Sequence, residues 1–337
     1  MKKILITGGS GFIGTNFINY LDTKNKFKIY NIDKISSVST PEKFKKINNK
    51  KKYQFIKLNL INFLNLKKCI KKIKPDIIVH MAAESHVDRS IDNPEKFYFE
   101  NIKSTQNILN AIRLQKNKMK FIYFSTDEVF GSYKKGKANE KKNFETNSPY
   151  SASKASCENL INSYISTFNL DCIIIRLSNN YGPYQYPEKL LPNILNKLKN
   201  NKKIELYGKG KNEREWIFVR DTCEALYKLI IEKKIYSDSF NVGSGKTFSN
   251  IDIVKKVLNQ LKKKPYNEYY KFIKDRPGHD ERYCLDSRKF KKKFRWKPKF
   301  NLNTGLKQTL SWYENNYKWL KYIKTNFKDK RIGTIKK

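Results

Sequence analysis

"KKILITGGSGFIG" (residues 2–14) sets an apolar run directly against a glycine-rich turn, and a helical pattern starts where the turn ends. Gly9, Gly11 and Gly14 satisfy G-x-G-x-x-G, and Gly8, Gly11 and Gly14 satisfy G-x-x-G-x-x-G. Small residues are required there because the turn must be tight and the backbone must approach a pyrophosphate, which then faces the helix N-terminus. Asp33 lies nineteen residues beyond Gly14, at the end of the next apolar run. A carboxylate at that point accepts hydrogen bonds from ribose hydroxyls and repels a 2′-phosphate, so the cofactor expected is NAD and not NADP.

Outward from this unit the same alternation continues. Strands are expected at 2–8, 27–33, 53–59, 76–82, 120–126 and 172–178, with helical patterns at 11–22, 62–74, 94–115 and 148–169 between them. Apolar strands that alternate with helices read as a Rossmann-type, doubly wound parallel sheet in an α/β fold. After Ser178 the rhythm changes to "NNYGPYQYPEKLLPN", a helix near 190–200 and "DRPGHDERY" (275–283). Residues 1–178 and 218–243, including a return to the sheet at "DSFNVGS" (238–244), are assigned to an NAD-binding Rossmann domain. Residues 179–217 and 244–320 form a smaller, mixed α/β lobe, and 321–337 a basic tail.

Composition excludes several functions. The chain has 337 residues, enough for a large core, and a net charge of +40. That charge is spread along the chain, and only 10 of 71 basic residues are Arg, the side chain favoured for phosphate and base recognition. A solvated basic surface is expected rather than a nucleic-acid or membrane partner. Cys69, Cys157, Cys172, Cys223 and Cys284 form no C-x-x-C pair and no metal-like spacing with the three His, which reads as a reducing, cytoplasmic protein without structural metal. No apolar run reaches membrane-spanning length, and the N-terminal one is too short for a signal peptide before glycine breaks it.

Two further motifs carry chemistry. In "SPYSASK" (148–154), Ser148 is a plausible N-cap and Pro149 a first-turn proline, so Tyr150 and Lys154 share a helical face one turn apart. A nearby ammonium and a cationic nicotinamide ring favour the phenolate, and Tyr150 can then act as a base toward a substrate hydroxyl. In "FSTDEVFGS" (124–132), Thr126, Asp127 and Glu128 follow an expected strand at the carboxyl end, where open parallel sheets bind ligands. Adjacent carboxylates resist joint ionisation, so one can serve as acid and the other as base.

The dinucleotide fingerprint and "SPYSASK" together resemble the extended short-chain dehydrogenase/reductase family. "STDEVFG", "HMAAESHVDRSIDNP" (80–94), "RLSNNYGPYQYPEKLLP" (176–192), "YGKGKNEREWIFVRD" (207–221) and "RPGHDERY" (276–283) narrow the resemblance to its nucleotide-sugar 4,6-dehydratases, and within them to the branch acting on dTDP-glucose. A UDP-sugar 4,6-dehydratase or an epimerase of the same scaffold is the alternative. The resemblance implies that Tyr150, aided by Thr126 and Lys154, deprotonates the sugar 4-hydroxyl, that Glu128 removes the carbon-5 proton and that protonated Asp127 donates to the departing 6-hydroxyl. It places Gly8, Gly11, Phe12, Ile13, Gly14, Asp33, Lys34, Ser36, Asn59, Leu60, Ala82, Ala83, Glu84, Tyr150, Lys154 and Asn180 at NAD. At the nucleotide sugar it places Ser85, His86, Thr126, Asn179, Lys189, Leu190, Glu205, Tyr207, Arg214, Asn241, Arg276 and His279, with Arg214 and Arg276 the partners of its diphosphate. It also implies a homodimer and a product that leads to rhamnose or another deoxysugar of polysaccharides. Three positions depart from the family pattern: Asn59 stands for Asp near the adenine, Glu100 for Thr, and Glu215 for Asp after Arg214.

Overall fold

The computed structural model describes residues 1–36, 39, 50–233, 237–317, 319 and 333. Its strands are β1 (Lys2–Thr7), β2 (Phe27–Asp33), β3 (Tyr53–Lys57), β4 (Ile77–His80), β5 (Lys120–Thr126), β6 (Cys172–Leu177), β7 (Asn179–Tyr181), β8 (Ile204–Tyr207), β9 (Glu213–Phe218), β10 (Asp238–Val242), β11 (Thr247–Ser249) and β12 (Tyr270–Ile273). Its helices are α1 (Phe12–Lys24), α2 (Phe63–Ile73), α3 (Val87–Asp92), α4 (Pro94–Phe97), α5 (Lys103–Arg113), α6 (Pro149–Phe168), α7 (Leu190–Lys199), α8 (Val219–Ile231), α9 (Asn250–Gln260), α10 (Arg288–Phe294) and α11 (Leu302–Asn315). Of the tail expected at 321–337 only Gly333 is described, with its amide donating to Asp92 at 2.9 Å.

Seven parallel strands run in the order β3-β2-β1-β4-β5-β6-β10. Helices cover both faces, which is why β4, β5 and β6 are buried at every position and read as continuous apolar runs. On one face α1, α8 and α10 pack Phe17, Leu21, Leu226, Leu229 and Phe290 against the sheet. On the other, α2, α5 and α6 contribute Ile70, Ile108, Ile112 and Ile161. The strand order reverses direction at β1 and β4, and this switch point opens a crevice at the carboxyl ends of the strands. This is the Rossmann-type fold expected from the sequence.

Two local devices shape the crevice. Ser148 caps α6 by accepting from the Ser151 amide at 3.1 Å while Ser151 Oγ accepts from the Ser148 amide at 3.1 Å, with Pro149 first in the helix. The single helix expected at 94–115 is instead α4 and α5 joined by a π turn over Tyr98–Ile102. The wider turn aims Asn101 at the crevice wall: its Oδ1 accepts from the Glu84 amide (2.8 Å), and its Nδ2 donates to the Glu84 carbonyl (3.0 Å) and Ser153 Oγ (2.9 Å).

The elements after β6, apart from α8, β10 and α10, build a second cluster around Tyr181, Leu206, Trp216, Phe218, Val257, Leu306 and Tyr313. It contains a three-stranded sheet, β11-β9-β7, and a β12-β8 pair. β7 follows β6 after one residue, so the chain crosses to this lobe directly at the crevice.

Candidate active site

A cleft of about 940 Å³ runs from the glycine turn to the second lobe. At one end the turn is shaped by close approach. Gly8 has φ +68°, and a Cβ there would lie 2.7 Å from the Ala82 backbone; one at Gly14 would lie 2.5 Å from the Gly8 carbonyl oxygen. Asp33 ties this loop to the wall, accepting from the Ser10 amide at 3.1 Å and from Ile35 N and Ser39 Oγ at 2.9 and 3.0 Å. Phe12, Ile13, Lys34, Ser36, Asn59, Leu60, Ala82, Ala83 and Glu84 line the same end, with Asn180 further along. A glycine cradle with no room for Cβ atoms, a helix N-terminus and an acidic ribose wall fit NAD.

Two of the family departures now have surroundings. Lys34 bridges Glu100 at 3.0 Å and Glu84 at 3.4 Å, and Lys96 reaches Glu84 at 3.2 Å. Asn59 Oδ1 already accepts from the Ile61 amide at 3.1 Å, so its single acceptor oxygen is shared. A carboxylate would offer a second, charged oxygen. Asn59→Asp is therefore expected to tighten NAD binding about fivefold, roughly 1 kcal/mol, in a titration of cofactor-depleted protein; unchanged affinity would mean that Asn59 does not face the adenine.

At the carboxyl end of β5 the chain closes a short 3-10 turn over Asp127–Phe130. Thr126 Oγ1 donates to Asp127 Oδ1 at 3.2 Å and accepts from the Glu128 amide at 3.3 Å. Asp127 is 2 % exposed, and its Oδ2 has no hydrogen-bond partner among the described residues. Burial holds its proton affinity well above the ordinary carboxylate range, and the charges of Glu128 and Glu215 add to this against Arg214 and the Thr126 hydroxyl. Burial also raises Glu128, but there Arg276, Arg214 and Lys189 all pull the other way. The neighbours thus separate the pair: burial and two further carboxylates act on Asp127, while three cations offset the effect of burial on Glu128.

Tyr150 and Lys154 approach from α6. Burial and the Glu128 charge raise the phenol, while a hydrogen bond with Thr126 lowers it. Lys154 donates to the Phe124 carbonyl and sits 4.1 Å from the Tyr123 ring centroid, and burial lowers it to about 8. The strongest protein influences on Tyr150 are thus burial, the Glu128 charge and the Thr126 hydrogen bond. Deeper in, His80 is enclosed by Thr7 (2.7 Å) and Thr105 (3.2 Å), and burial pushes it down to about 3, so it is neutral.

The far end of the cleft gathers Ser85, His86, Asn179, Lys189, Leu190, Glu205, Tyr207, Arg214, Arg276 and His279. Lys189 donates to the Ser85 carbonyl at 3.2 Å. Arg214 spends its donors on backbone carbonyls, Glu213 at 2.8 Å and Asp280 at 2.9 Å, so it also supports the 280–281 segment. Asn241 is not in the cleft. It is fully buried in β10, where its Nδ2 donates to the Ala138 carbonyl at 2.9 Å, because a residue paired to Arg176 in β6 lies within the sheet. Asp88 also lines this end, and sequence reasoning missed it: it accepts from Tyr207 Oη at 2.9 Å and pairs with Arg276 across the lobes. Its signal was its place in "SHVDRS", a segment whose His86 was already singled out.

Glu215 is fully buried in β9 and accepts from the Gly245 amide (2.5 Å) and the Leu285 amide (2.6 Å). It thus pins the 283–285 segment beside the acid turn.

The GDP-mannose 4,6 dehydratase family model matches residues 5–309. The chain is 34 % identical over 346 residues to dTDP-glucose 4,6-dehydratase 1 of Escherichia coli K12, covering 96 % of each chain. The crystal structure of dTDP-glucose 4,6-dehydratase from Bacillus anthracis with NAD superposes with a TM-score of 0.87 at 36 % identity, over 96 % of this chain and 100 % of that one. The Streptomyces venezuelae enzyme of the same name, with NAD and dTDP bound, gives 0.90 at 31 %, over 95 % and 99 %. The paired acids at the end of β5, the Tyr150–Lys154 helix and full-length similarity agree, and the chain belongs to the dTDP-glucose 4,6-dehydratases of the extended short-chain dehydrogenase/reductase family.

Proposed function

We propose that this chain converts dTDP-glucose to dTDP-4-keto-6-deoxyglucose, and that the residues named above divide the chemistry. The observation that carries the division is the contrast within the acid pair: Asp127 sealed with an unpartnered oxygen, Glu128 surrounded by three cationic side chains. Tyr150, hydrogen-bonded to Thr126, takes the proton of the 4-hydroxyl as carbon 4 becomes a ketone. NAD, held at the glycine turn of Gly8, Gly11 and Gly14 and at Asp33, would when bound supply the hydride chemistry, storing the carbon-4 hydride for return to carbon 6. The ketone acidifies the carbon-5 proton, and Glu128 removes it. Asp127 gives its proton to the 6-hydroxyl, the carbon-6 to oxygen bond breaks, and water leaves. Carbon 5 is reprotonated on the face where Glu128 sits. Arg276 and, in place of the expected Arg214, whose donors go to the Glu213 and Asp280 carbonyls, Lys189 are the partners for the substrate diphosphate, and Asp88 holds Arg276 in place.

Elimination needs Asp127 protonated and Glu128 ionised. Its rate is expected to be bell-shaped in pH, the acid limb from ionisation of Glu128 and the alkaline limb from loss of the Asp127 proton, each an apparent value of the pair. Asp127→Asn removes the alkaline limb along with most of the rate; an unchanged alkaline limb would assign it to another group.

The UDP-sugar reading shares the scaffold, while an epimerase has no use for a paired acid and base at carbons 5 and 6. Incubation with dTDP-glucose and, separately, UDP-glucose distinguishes them by mass. Loss of one water from dTDP-glucose is expected; dehydration of UDP-glucose alone would move the chain to the UDP-sugar branch, and no dehydration of either would refute the reading.

A homodimer, through α4, α5 and α6, is part of the same proposal; exposed Tyr98 and Phe99 in the π turn between α4 and α5, and Phe168 at the end of α6, support it. Five free cysteines support a reducing, cytoplasmic setting, and no described helix is long and apolar enough to cross a membrane. The 4-keto-6-deoxy product suits a route to rhamnose or another deoxysugar of cell-surface polysaccharide.

A further inference from the structure

Behind the reacting residues lies a buried charged cluster that the chemistry above does not use. Glu158, fully buried on α6 one turn beyond Lys154, accepts from Arg176 Nε at 3.1 and 3.0 Å and from Arg176 Nη2 at 2.6 Å. Its Oε1 also accepts from Ser125 Oγ at 2.5 Å. Ser125 stands between Phe124, whose carbonyl receives Lys154, and Thr126, and it is the register partner of Arg176 across β5 and β6. The Arg176 guanidinium lies over Phe130 at 4.9 Å and Phe144 at 5.6 Å, and Phe130 ends the turn that carries Asp127 and Glu128.

One guanidinium thus touches, directly or through Glu158, every element that presents a reacting group: α6 with Tyr150 and Lys154, the end of β5 with Thr126, and the turn with the two acids. A buried ion pair is a poor source of net stability, since apolar or neutral residues of similar volume do as well. A bidentate pair does fix distances and directions better than apolar packing.

We propose that Arg176, Glu158 and Ser125 form a positioning set that holds the Tyr150–Lys154 helix and the Asp127–Glu128 turn at one fixed separation, so that both the oxidation at carbon 4 and the elimination at carbons 5 and 6 depend on it. The inference rests on the dehydratase reading. Turnover of dTDP-glucose by the unaltered protein checks that reading separately, so that failure of the one is distinguishable from failure of the other.

The test compares Ser125→Ala with the neutral pair Glu158→Gln/Arg176→Gln, in which the two amides can still bond each other and Ser125. Thermal melting, affinity for dTDP and for NAD, kcat and KM, and the single-turnover appearance of reduced cofactor are measured on each. Ser125→Ala removes the hydroxyl tie between β5 and Glu158 of α6, leaves the Lys154 bond to the Phe124 carbonyl in place, and is expected to fold normally. It should lose about tenfold in kcat, with both affinities within twofold of the unaltered protein. The neutral pair is expected to melt near the unaltered protein and yet lose about a hundredfold in kcat, in oxidation as well as in dehydration. Normal kcat in Ser125→Ala would overturn the proposal. So would a neutral pair that recovers both melting temperature and kcat, or losses confined to KM, because a merely structural role produces these. If the neutral pair does not fold, Ser125→Ala alone decides.

Discussion

Glu128→Gln is expected to stop dehydration almost completely while carbon-4 oxidation continues, so that reduced cofactor accumulates on addition of dTDP-glucose. The amide occupies the same volume and keeps the 3.3 Å amide contact to Thr126, which is made by the Glu128 backbone and not by its side chain. What disappears is the carboxylate assigned to take the carbon-5 proton, because an amide oxygen is not basic enough to do so. General-base removal costs about 10²- to 10⁴-fold, which here falls on elimination alone. A secondary effect acts in the opposite direction on the partner: the Glu128 charge is, after burial, the largest influence raising Asp127, and it also raises Tyr150. Neutralising it lowers both, so the phenol ionises more readily in the loaded site and oxidation is not slowed. Normal dehydration by this variant would show that the base is elsewhere.

Tyr150→Phe is expected to lose both half-reactions together. Deprotonation of the 4-hydroxyl precedes everything else, and Tyr150 is the phenol assigned to it, sharing Thr126 with Asp127. The loss should again be about 10²- to 10⁴-fold in kcat, with no reduced cofactor seen. The fold is preserved because the ring still packs edge-on against Phe97, with centroids 6.4 Å apart. In the unliganded protein burial keeps the phenol protonated; a cationic nicotinamide ring beside it supplies the missing attraction for the phenolate, and so the residue is a base only in the loaded site. Oxidation at an ordinary rate in Tyr150→Phe would remove it from the mechanism.

The sheet was legible because β4, β5 and β6 are buried on both faces, and two-faced burial leaves no polar alternation to misread. The turn after β1 was legible because its glycines have no substitute. The long helix at 94–115 was read as regular because a π turn leaves little trace in apolar spacing: what drives it is Asn101 turning inward to the Glu84 backbone, a tertiary contact. The strands of the second lobe are three to six residues long, too short for a period to register.

Among site residues, Tyr150 and the Thr126–Glu128 run were legible because their chemistry is concentrated in adjacent positions. Asn241 was misplaced because the same apolar run that returns to the sheet also buries it there. Asp88 and Arg276 stand 188 residues apart, and a pair made across lobes has no local signature. The positioning cluster was invisible for the same reason: Ser125, Glu158 and Arg176 meet only because β5, β6 and α6 converge.

The central claim is that one hydrogen leaves carbon 4, is held within the protein, and returns to carbon 6 of the same sugar while water is lost. dTDP-glucose carrying deuterium at carbon 4, incubated in ordinary water and followed by NMR, tests this directly. The account predicts a 4-keto-6-deoxy product with the deuterium in its new methyl group and ordinary hydrogen at carbon 5. Deuterium lost to solvent or retained at carbon 4, or a product that keeps its 6-hydroxyl, would contradict it.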